Sequence, residues 1–259
     1  GVNPNEYPNL DLDETKEPIV INTEVFKEMI NQTVFATSPS ETRPLLTGIN
    51  FRINGSELEV LATDSYRLAR KLVSIDHEVE NDVNIVIPGK NLVELSKMLD
   101  DEDITLEIHL FSNKVLFKYG NMLFLSRLLS GTYPTTSNII PKDFNIELEC
   151  SFDDLFNMID RASLLTSDRD KNTIKLSLNK NELMISSNSP EIGKVEEKIT
   201  VESDKEINIS FSSKFMLDAI KSFNKDKIIL CMNNDSSPIV IKNSEDTSLV
   251  QLVLPIKTC

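Results

Sequence analysis

Val83-Asn84-Ile85-Val86-Ile87-Pro88-Gly89-Lys90 returns as Ile207-Asn208-Ile209-Ser210-Phe211-Ser212-Ser213-Lys214, a shift of 124 residues (207 − 83). Both octets are apolar at the first, third and fifth places, with asparagine second and lysine last. The same offset carries Glu94 onto Asp218, Lys97 onto Lys221 and Ile104-Thr105-Leu106 onto Ile228-Ile229-Leu230. An offset that holds through a strand, a helix and the next strand follows from buried faces that must be apolar at matching places. Earlier segments match at slightly different offsets, 26–30 with 155–159 and Asn54-Gly55-Ser56-Glu57-Leu58 with Asn179-Lys180-Asn181-Glu182-Leu183, as small insertions require. A period this long means a duplicated domain rather than a solenoid repeat.

A chain of 259 residues has room for two such domains, each with its own core. Hydrophobic residues make up 40% and charged residues 26%, the balance of a globular protein, and no apolar run approaches the roughly 18 residues of a membrane span. The first 17 residues are polar and rich in Pro and Asn, unlike a signal peptide. Cys150, Cys231 and Cys259 have no CxxC spacing, which suits a reducing cytoplasm and makes Cys150 and Cys231 ordinary packing residues. The net charge of −14 argues against a nucleic-acid partner unless basic residues are gathered on one face.

Periodicity supplies the elements. Thr23 reads as the N-cap of a helix over 24–34, with Phe26, Met29, Ile30 and Val34 on one side. Strands at 48–53 and 57–61 flank Asn54-Gly55, a hairpin signal because both central positions of a type I′ turn need positive φ. A third strand follows at 66–73. The second unit has a strand at 84–87, a helix over 89–99 carrying Leu92, Leu95, Met98 and Leu99, and strands at 104–110, 114–118 and 122–128. The second half repeats the plan, with helices near 152–163 and 213–223. The fold class is α+β, with two similar domains, each of two β-α-β-β-β units. Residues 131–142, stiffened by Pro134 and Pro141, form a linker whose Ile139 and Ile140 are apolar enough to pack in the seam between domains.

The catalytic inventory is thin. His77 and His109 are the only histidines, and no HExxH, GxSxG, GxxxxGK[ST] or GxGxxG motif occurs, which argues against an enzyme and implies neither cofactor nor metal. His109 falls in a strand and His77 in a polar turn, while Asp100-Asp101-Glu102-Asp103 reads as a solvated acidic turn. The basic residues are better organised. Lys90, Glu94 and Lys97 stand at i, i+4 and i+7 of one helix, and Lys214, Asp218 and Lys221 repeat them on its twin. Such a stripe is either a solvated face with ion pairs worth about 0.2–0.5 kcal/mol each or a surface for a polyanion.

Three segments carry a family resemblance: Leu61-Ala62-Thr63-Asp64-Ser65-Tyr66-Arg67-Leu68-Ala69, the stretch from Ser126-Arg127-Leu128-Leu129-Ser130-Gly131-Thr132-Tyr133-Pro134 to Ile140-Pro141, and Leu252-Val253-Leu254-Pro255-Ile256-Lys257. Together they resemble the bacterial DNA polymerase III β subunit, the sliding clamp, over nearly all of the chain from Pro18 onward. The resemblance implies the family's second domain at 18–137 and third at 138–259, with 1–17 a residual linker from a missing first domain. It implies helices on the inner face of a ring, sheets outside, and head-to-tail homodimers when full length, with ring closure not expected for this fragment.

By the same resemblance the expected function is a non-enzymatic processivity factor, cytoplasmic and bacterial, encircling duplex DNA without base readout. Lys90, Lys97, Lys214 and Lys221 are placed toward the DNA, with Arg43, Lys142 and Arg169 as loop candidates; the other two helices, carrying Lys27 and Arg161, are not net basic. A cleft between the domains is expected to receive short peptides from the DNA polymerase III α subunit, the clamp loader and other proteins with the clamp-binding motif. The matching positions are Leu46, Thr63, Ser65, Tyr66, Arg67, Leu68, Pro134, Asn138, Ile139, Phe215, Pro238, Leu252, Leu254, Pro255 and Ile256. Asn138 stands where a basic residue is frequent, and Lys257 where Arg is. Without the resemblance, 63–65 is a turn and 252–256 a closing strand. Two rival functions stay open: an assembly or scaffold protein without DNA contact, and a small-molecule-binding or hydrolytic protein built around a polar pocket.

Overall fold

In the computed structural model, which describes residues 17–100, 105–136 and 138–257, β1 (Ile19–Asn22) leads into α1 (Thr23–Asn31). Asn22, not Thr23, caps this helix: its Oδ1 accepts from the Glu24 and Val25 amides at 2.8 and 3.4 Å, and Thr23 is already inside the first turn. The helix stops at Asn31 rather than 34, and Val34–Ala36 tightens into a 3-10 turn. Then come β2 (Gly48–Thr63), β3 (Arg67–Pro88), α2 (Gly89–Met98), β4 (Thr105–Leu110), β5 (Lys114–Tyr119) and β6 (Met122–Arg127). The second half has β7 (Ile146–Ser151), α3 (Phe152–Ser163), β8 (Thr173–Asn179), β9 (Glu182–Ser189) and β10 (Gly193–Thr200). It closes with β11 (Glu206–Ser212), α4 (Ser213–Lys221), β12 (Lys227–Met232), β13 (Ile239–Lys242) and β14 (Leu249–Val253). Ile104, the acidic residues Asp101-Glu102-Asp103, the segment 1–16 and Cys259 lie outside the described residues.

β2 and β3 are each folded double. The Arg52 guanidinium meets Glu59 at 3.3 Å, although residues seven apart on a straight strand stand roughly 23 Å apart, so the chain reverses about Gly55. The expected hairpin is therefore present, but with a different turn. Gly55 has φ +59° while Asn54 is not among the positive-φ residues, so Asn54-Gly55 does not form the type I′ centre, which needs positive φ at both. Residues 48–53 pair with 83–88 and residues 57–63 with 68–74, with the register breaking around Gly55. His77 sits between the two arms of β3, in a stretch without partners on β2.

The first arm of β3 also pairs with β14, from Arg67↔Val253 to Lys71↔Leu249. One sheet thus crosses from the first half of the chain to the second, in the order β2-β3-β14-β13-β12-β7, flanked by the sheets β1-β4-β5-β6 and β10-β9-β8-β11. The pairing rule is the same throughout: the opening strand of each β-α-β-β-β unit pairs with the second strand of the other unit in the same half, as in β1 with β4 and β7 with β12.

Two cores follow the repeat. Phe26, Met29, Leu92, Leu95 and Phe117 fill the first; Leu155, Met158, Phe211, Met216 and Ala219 fill the second, with Leu92 and Leu95 matching Met216 and Ala219 at the 124-residue shift. A third apolar cluster at the seam joins Leu46, Leu61, Leu68, Tyr133, Val240 and Leu252. Met98, expected on the apolar side of α2, is instead 51% exposed, while Leu99 is buried. Of the two linker isoleucines, Ile140 packs against the seam cluster, but Ile139 is 42% exposed. Cys150 and Cys231 are buried free thiols whose pKa burial pushes up to about 12 and about 11, so they pack and do not react.

α1 packs on α2 and α3 on α4. Glu24, Lys27 and Glu28 of α1 share a polar cavity of about 370 Å³ with Lys221 and Asn224 at the end of α4. The helices therefore line up as α2-α1-α4-α3 in one layer. Among the described residues, no helix is long and apolar enough to cross a membrane.

Candidate functional site at the seam

The turn from Thr63 to Arg67 organises the seam. Thr63 Oγ1 donates to the Arg67 carbonyl at 2.6 Å and accepts from the Ser65 amide at 3.1 Å, while Asp64 Oδ1 accepts from the Tyr66 and Arg67 amides at 2.9 and 3.0 Å. These bonds hold Ser65 at φ +80°, a left-handed conformation that costs a non-glycine residue about 1 kcal/mol. The Tyr133 hydroxyl accepts from the Thr63 amide at 3.1 Å and so ties the linker to the turn; burial pushes this phenol up to about 12, keeping it neutral.

Arg67, only 8% exposed, is the centre of the seam. Its Nε donates to Asp64 Oδ2 at 3.0 Å and its NH1 to Asp218 Oδ2 of α4 at 2.5 Å. The guanidinium lies 4.5 Å from the centre of the Phe215 ring and 5.5 Å from that of Phe35. Tyr66 stacks on the same Phe215 ring, 6.4 Å between centres, and its carbonyl accepts from the Leu254 amide at 2.9 Å. The C-terminal segment is pinned again by the Ile256 amide, which donates to the Ser210 carbonyl at 2.7 Å. Between these elements lies a cavity of about 500 Å³ lined by Tyr66, Phe215, Leu254, Pro255 and Ile256, with Lys171, Lys214 and Lys257 among its other lining residues.

The structure divides the residues expected in the cleft. Tyr66, Phe215, Leu254, Pro255 and Ile256 meet around the cavity. Leu46, Leu68 and Leu252 are buried in the apolar cluster against which Leu254 packs. Thr63 and Arg67 are buried and hold the turn and the seam, so neither offers an open surface. Ser65, Pro134, Asn138 and Ile139 are exposed, Ser65 accepting from Arg43 NH1 at 2.8 Å, and Pro238 is half-buried ahead of β13.

The basic residues also part company. Lys90 is 88% exposed, 3.9 Å from Glu41, and Lys97 pairs with Glu94 at 2.8 Å. On the twin helix, Asp218 does not pair with its own lysines; it turns to Arg67. Lys221 lies over the Phe156 ring at 5.3 Å beside the α1–α4 cavity, whereas Lys214 lines the seam cavity. Lys142 and Arg169 are exposed loop residues. Asp218 and Lys171 were missed as seam residues; the only sequence signal for Asp218 was its match to Glu94, which pointed to the wrong role.

A second buried cation reinforces the seam. Lys71, four residues along the same strand arm, reaches Asp246 of the second half at 3.0 Å and Glu28 of α1 at 3.7 Å. Burial alone would raise the Asp246 pKa, but hydrogen bonds from Ser248 and Lys71 outweigh it and hold the carboxyl below its ordinary value. A depressed carboxylate stabilises the fold above its unfolded pKa, and this contribution is lost as pH falls through the folded one. Asp246→Asn is accordingly expected to lower the melting temperature at pH 7, and the gap from the parent should close as pH drops below about 4. A gap that persists unchanged into acid would show that the charge of Asp246 is not what matters.

A duplicated β-α-β-β-β unit with all helices in one layer and a sheet running through the seam defines a clamp-type architecture. Family models for the central and C-terminal domains of the DNA polymerase III beta subunit match residues 20–135 and 137–257. The chain is 45% identical to the beta sliding clamp of Bacillus subtilis over 261 aligned residues, covering all of this chain and 69% of that protein, and 42% identical to that of Staphylococcus aureus. It superposes on the crystal structure of the Bacillus subtilis DNA polymerase sliding clamp with a TM-score of 0.95 at 44% identity, again over 69% of that chain. A Streptococcus pneumoniae beta chain gives 0.92 at 32%. The chain belongs to the beta sliding clamp family.

Proposed function

We propose that these two repeats, taken as clamp domains over 18–137 and 138–259, act within a head-to-tail homodimeric ring as a non-catalytic accessory subunit of a bacterial, cytoplasmic DNA polymerase III. The seam cavity is read as the docking cleft for short peptides of the polymerase α subunit, the clamp loader and other partners, and the helix layer as the face turned to duplex DNA. The observation that carries the reading is the open space beside Leu254, walled by Tyr66, Phe215 and Ile256. Such a concave, mostly apolar site with a few polar groups at its margin suits apolar anchors of a linear peptide.

On the helix layer, exposed Lys90, Lys97 and Lys221, with Arg43, Lys142 and Arg169 on loops, supply a diffuse attraction to phosphates. A subunit that must slide gains from contacts that carry no sequence information. The scaffold alternative predicts no salt-dependent affinity for duplex DNA, and a salt titration on nicked circular duplex separates the two.

The cleft is tested by fluorescence anisotropy with a peptide of Gln-Leu-x-Leu-Phe pattern. Leu254→Ala is expected to weaken binding by roughly tenfold to a hundredfold, the loss of a buried apolar contact. Ile139→Ala, at a more exposed position, should weaken it less. No binding by the parent chain, or no change in either variant, overturns the cleft.

A further inference from the structure

We infer that Asn54-Gly55 is a self-modifying site: the asparagine closes on the following amide to a cyclic imide and reopens as aspartate or isoaspartate, adding a carboxylate where β2 reverses. It is the one Asn-Gly pair in the chain. The only co-reactant is water. The Gly55 backbone nitrogen loses its proton and bonds to Asn54 Cγ, while the Cγ–Nδ2 bond breaks and Nδ2 leaves as ammonia. Water then opens the imide. Cleavage between Cγ and the Gly55 nitrogen gives aspartate, and cleavage between the residue-54 carbonyl carbon and that nitrogen gives isoaspartate, with the main chain running through Cγ.

Ring closure requires the backbone to turn until the next amide faces Cγ, and it is resisted by a side chain on the following residue and by a ladder that holds the strand. Asn54 meets neither. Glycine leaves the approach open and the backbone free to turn. The β2–β3 ladder steps from Ile53↔Val83 to Gly55↔Val79, skipping the exposed Asn54, and its register breaks on both sides of Gly55. The duplicated fold supplies the comparison. Asn179-Lys180 stands in the matching turn 125 residues on (179 − 54), and Lys180 has φ +52° where Gly55 has +59°. There the reaction is obstructed. Asn179 is paired on both sides, with Glu182 of β9 and Glu206 of β11, and the Lys180 amide that would attack donates to the Lys205 carbonyl at 2.9 Å.

The modification alters a contact between the two strands. Asn54 Nδ2 donates to Asp82 Oδ1 of β3 at 3.1 Å. Either product puts a carboxylate in place of that donor, so an attraction becomes a repulsion between like charges. Exposed Asp76, Glu78 and Glu80 on the same stretch of β3, with Glu57 on β2, add to it. The modified reversal holds β3 less firmly.

The experiment incubates the full chain in mildly alkaline buffer and follows the peptides holding Asn54 and Asn179 by mass spectrometry against an unincubated sample, reading the exchange of NH for O. Asn54 is expected to convert about tenfold faster than Asn179. Gly55→Lys copies the twin, whose Lys180 already occupies this backbone conformation, and should bring Asn54 down to the rate of Asn179. No conversion at Asn54, equal rates at the two asparagines, or an unchanged rate in the Gly55→Lys variant overturns the inference. Asn54→Asp installs the charge directly and is expected to speed hydrogen exchange severalfold over 79–83 while leaving 227–232 as in the parent. Unchanged exchange over 79–83 overturns the claim that the added carboxylate loosens β3.

Discussion

Arg67→Ala is expected to lower the free energy of unfolding by about 3 kcal/mol, measured by urea titration at pH 7. The reason is what the truncation leaves behind. Asp64 and Asp218 both face the guanidinium, and the Phe215 and Phe35 rings pack on its faces, so alanine removes a cation from between two acids and opens a gap between two rings. Breaking one side of a buried ion pair costs more than the pair itself contributes, because the surviving charges have neither partner nor full access to water. Asp218, at 34% side-chain exposure, retains some hydration, which places the figure at the lower end for buried pairs. Asp218→Asn alone should cost less. A cycle with Arg67→Met should show coupling of at least about 1 kcal/mol between the two sites. Simple additivity would show that the contact across the seam contributes nothing, and an Arg67→Ala loss below about 1 kcal/mol would remove Arg67 as the fastening of the two halves.

Phe26→Ala should cost more, about 4 kcal/mol in the same titration. Phe26 is fully buried on α1, and its ring meets Phe117 of β5 edge to face, 5.8 Å between centres and 65° between planes. Phe117 in turn leans on Phe124 of β6 at 6.3 Å. Removing the first ring leaves a void between helix and sheet that this aromatic row cannot close without moving a strand. It also forfeits an aromatic contact worth about 0.5–1.5 kcal/mol beyond its buried area. Val25→Ala, one residue away on the exposed side of the helix, should change stability by less than about 0.5 kcal/mol and serves as the comparison. If the two substitutions cost the same, burial on α1 is not what stabilises the first core.

Much of this architecture is legible in the chain. The octet at 83–90 and its copy at 207–214 predict that residues 124 apart occupy equivalent places, and Leu92 with Met216 and Leu95 with Ala219 do so in the two cores. Asn54-Gly55 predicts a reversal, which the Arg52–Glu59 contact demonstrates. Errors arise where two local signals compete. Asn22 and Thr23 are both good caps, and the choice fell to Asn22 because Thr23 is drawn into the buried face of α1. Met98 keeps helical spacing, yet α2 turns it to solvent and buries Leu99 in its place.

The site was legible only in outline. Resemblance brought Tyr66, Phe215 and Leu254 into one group, and the structure sets them around one cavity. It did not reveal that Arg67 is consumed by the seam, nor that Leu46, Leu68 and Leu252 lie beneath the surface.

By itself the sequence determines the repeat, the α+β class and which positions are apolar, because burial imposes its period on every element locally. The tertiary structure alone decides where Asp218 and Lys214 go. Their helix is the twin of one in which Glu94 pairs with Lys97, but only pairing β3 with β14 brings Arg67 of one repeat against α4 of the other. Charge partners 151 residues apart are chosen by that docking, and no local pattern can encode it.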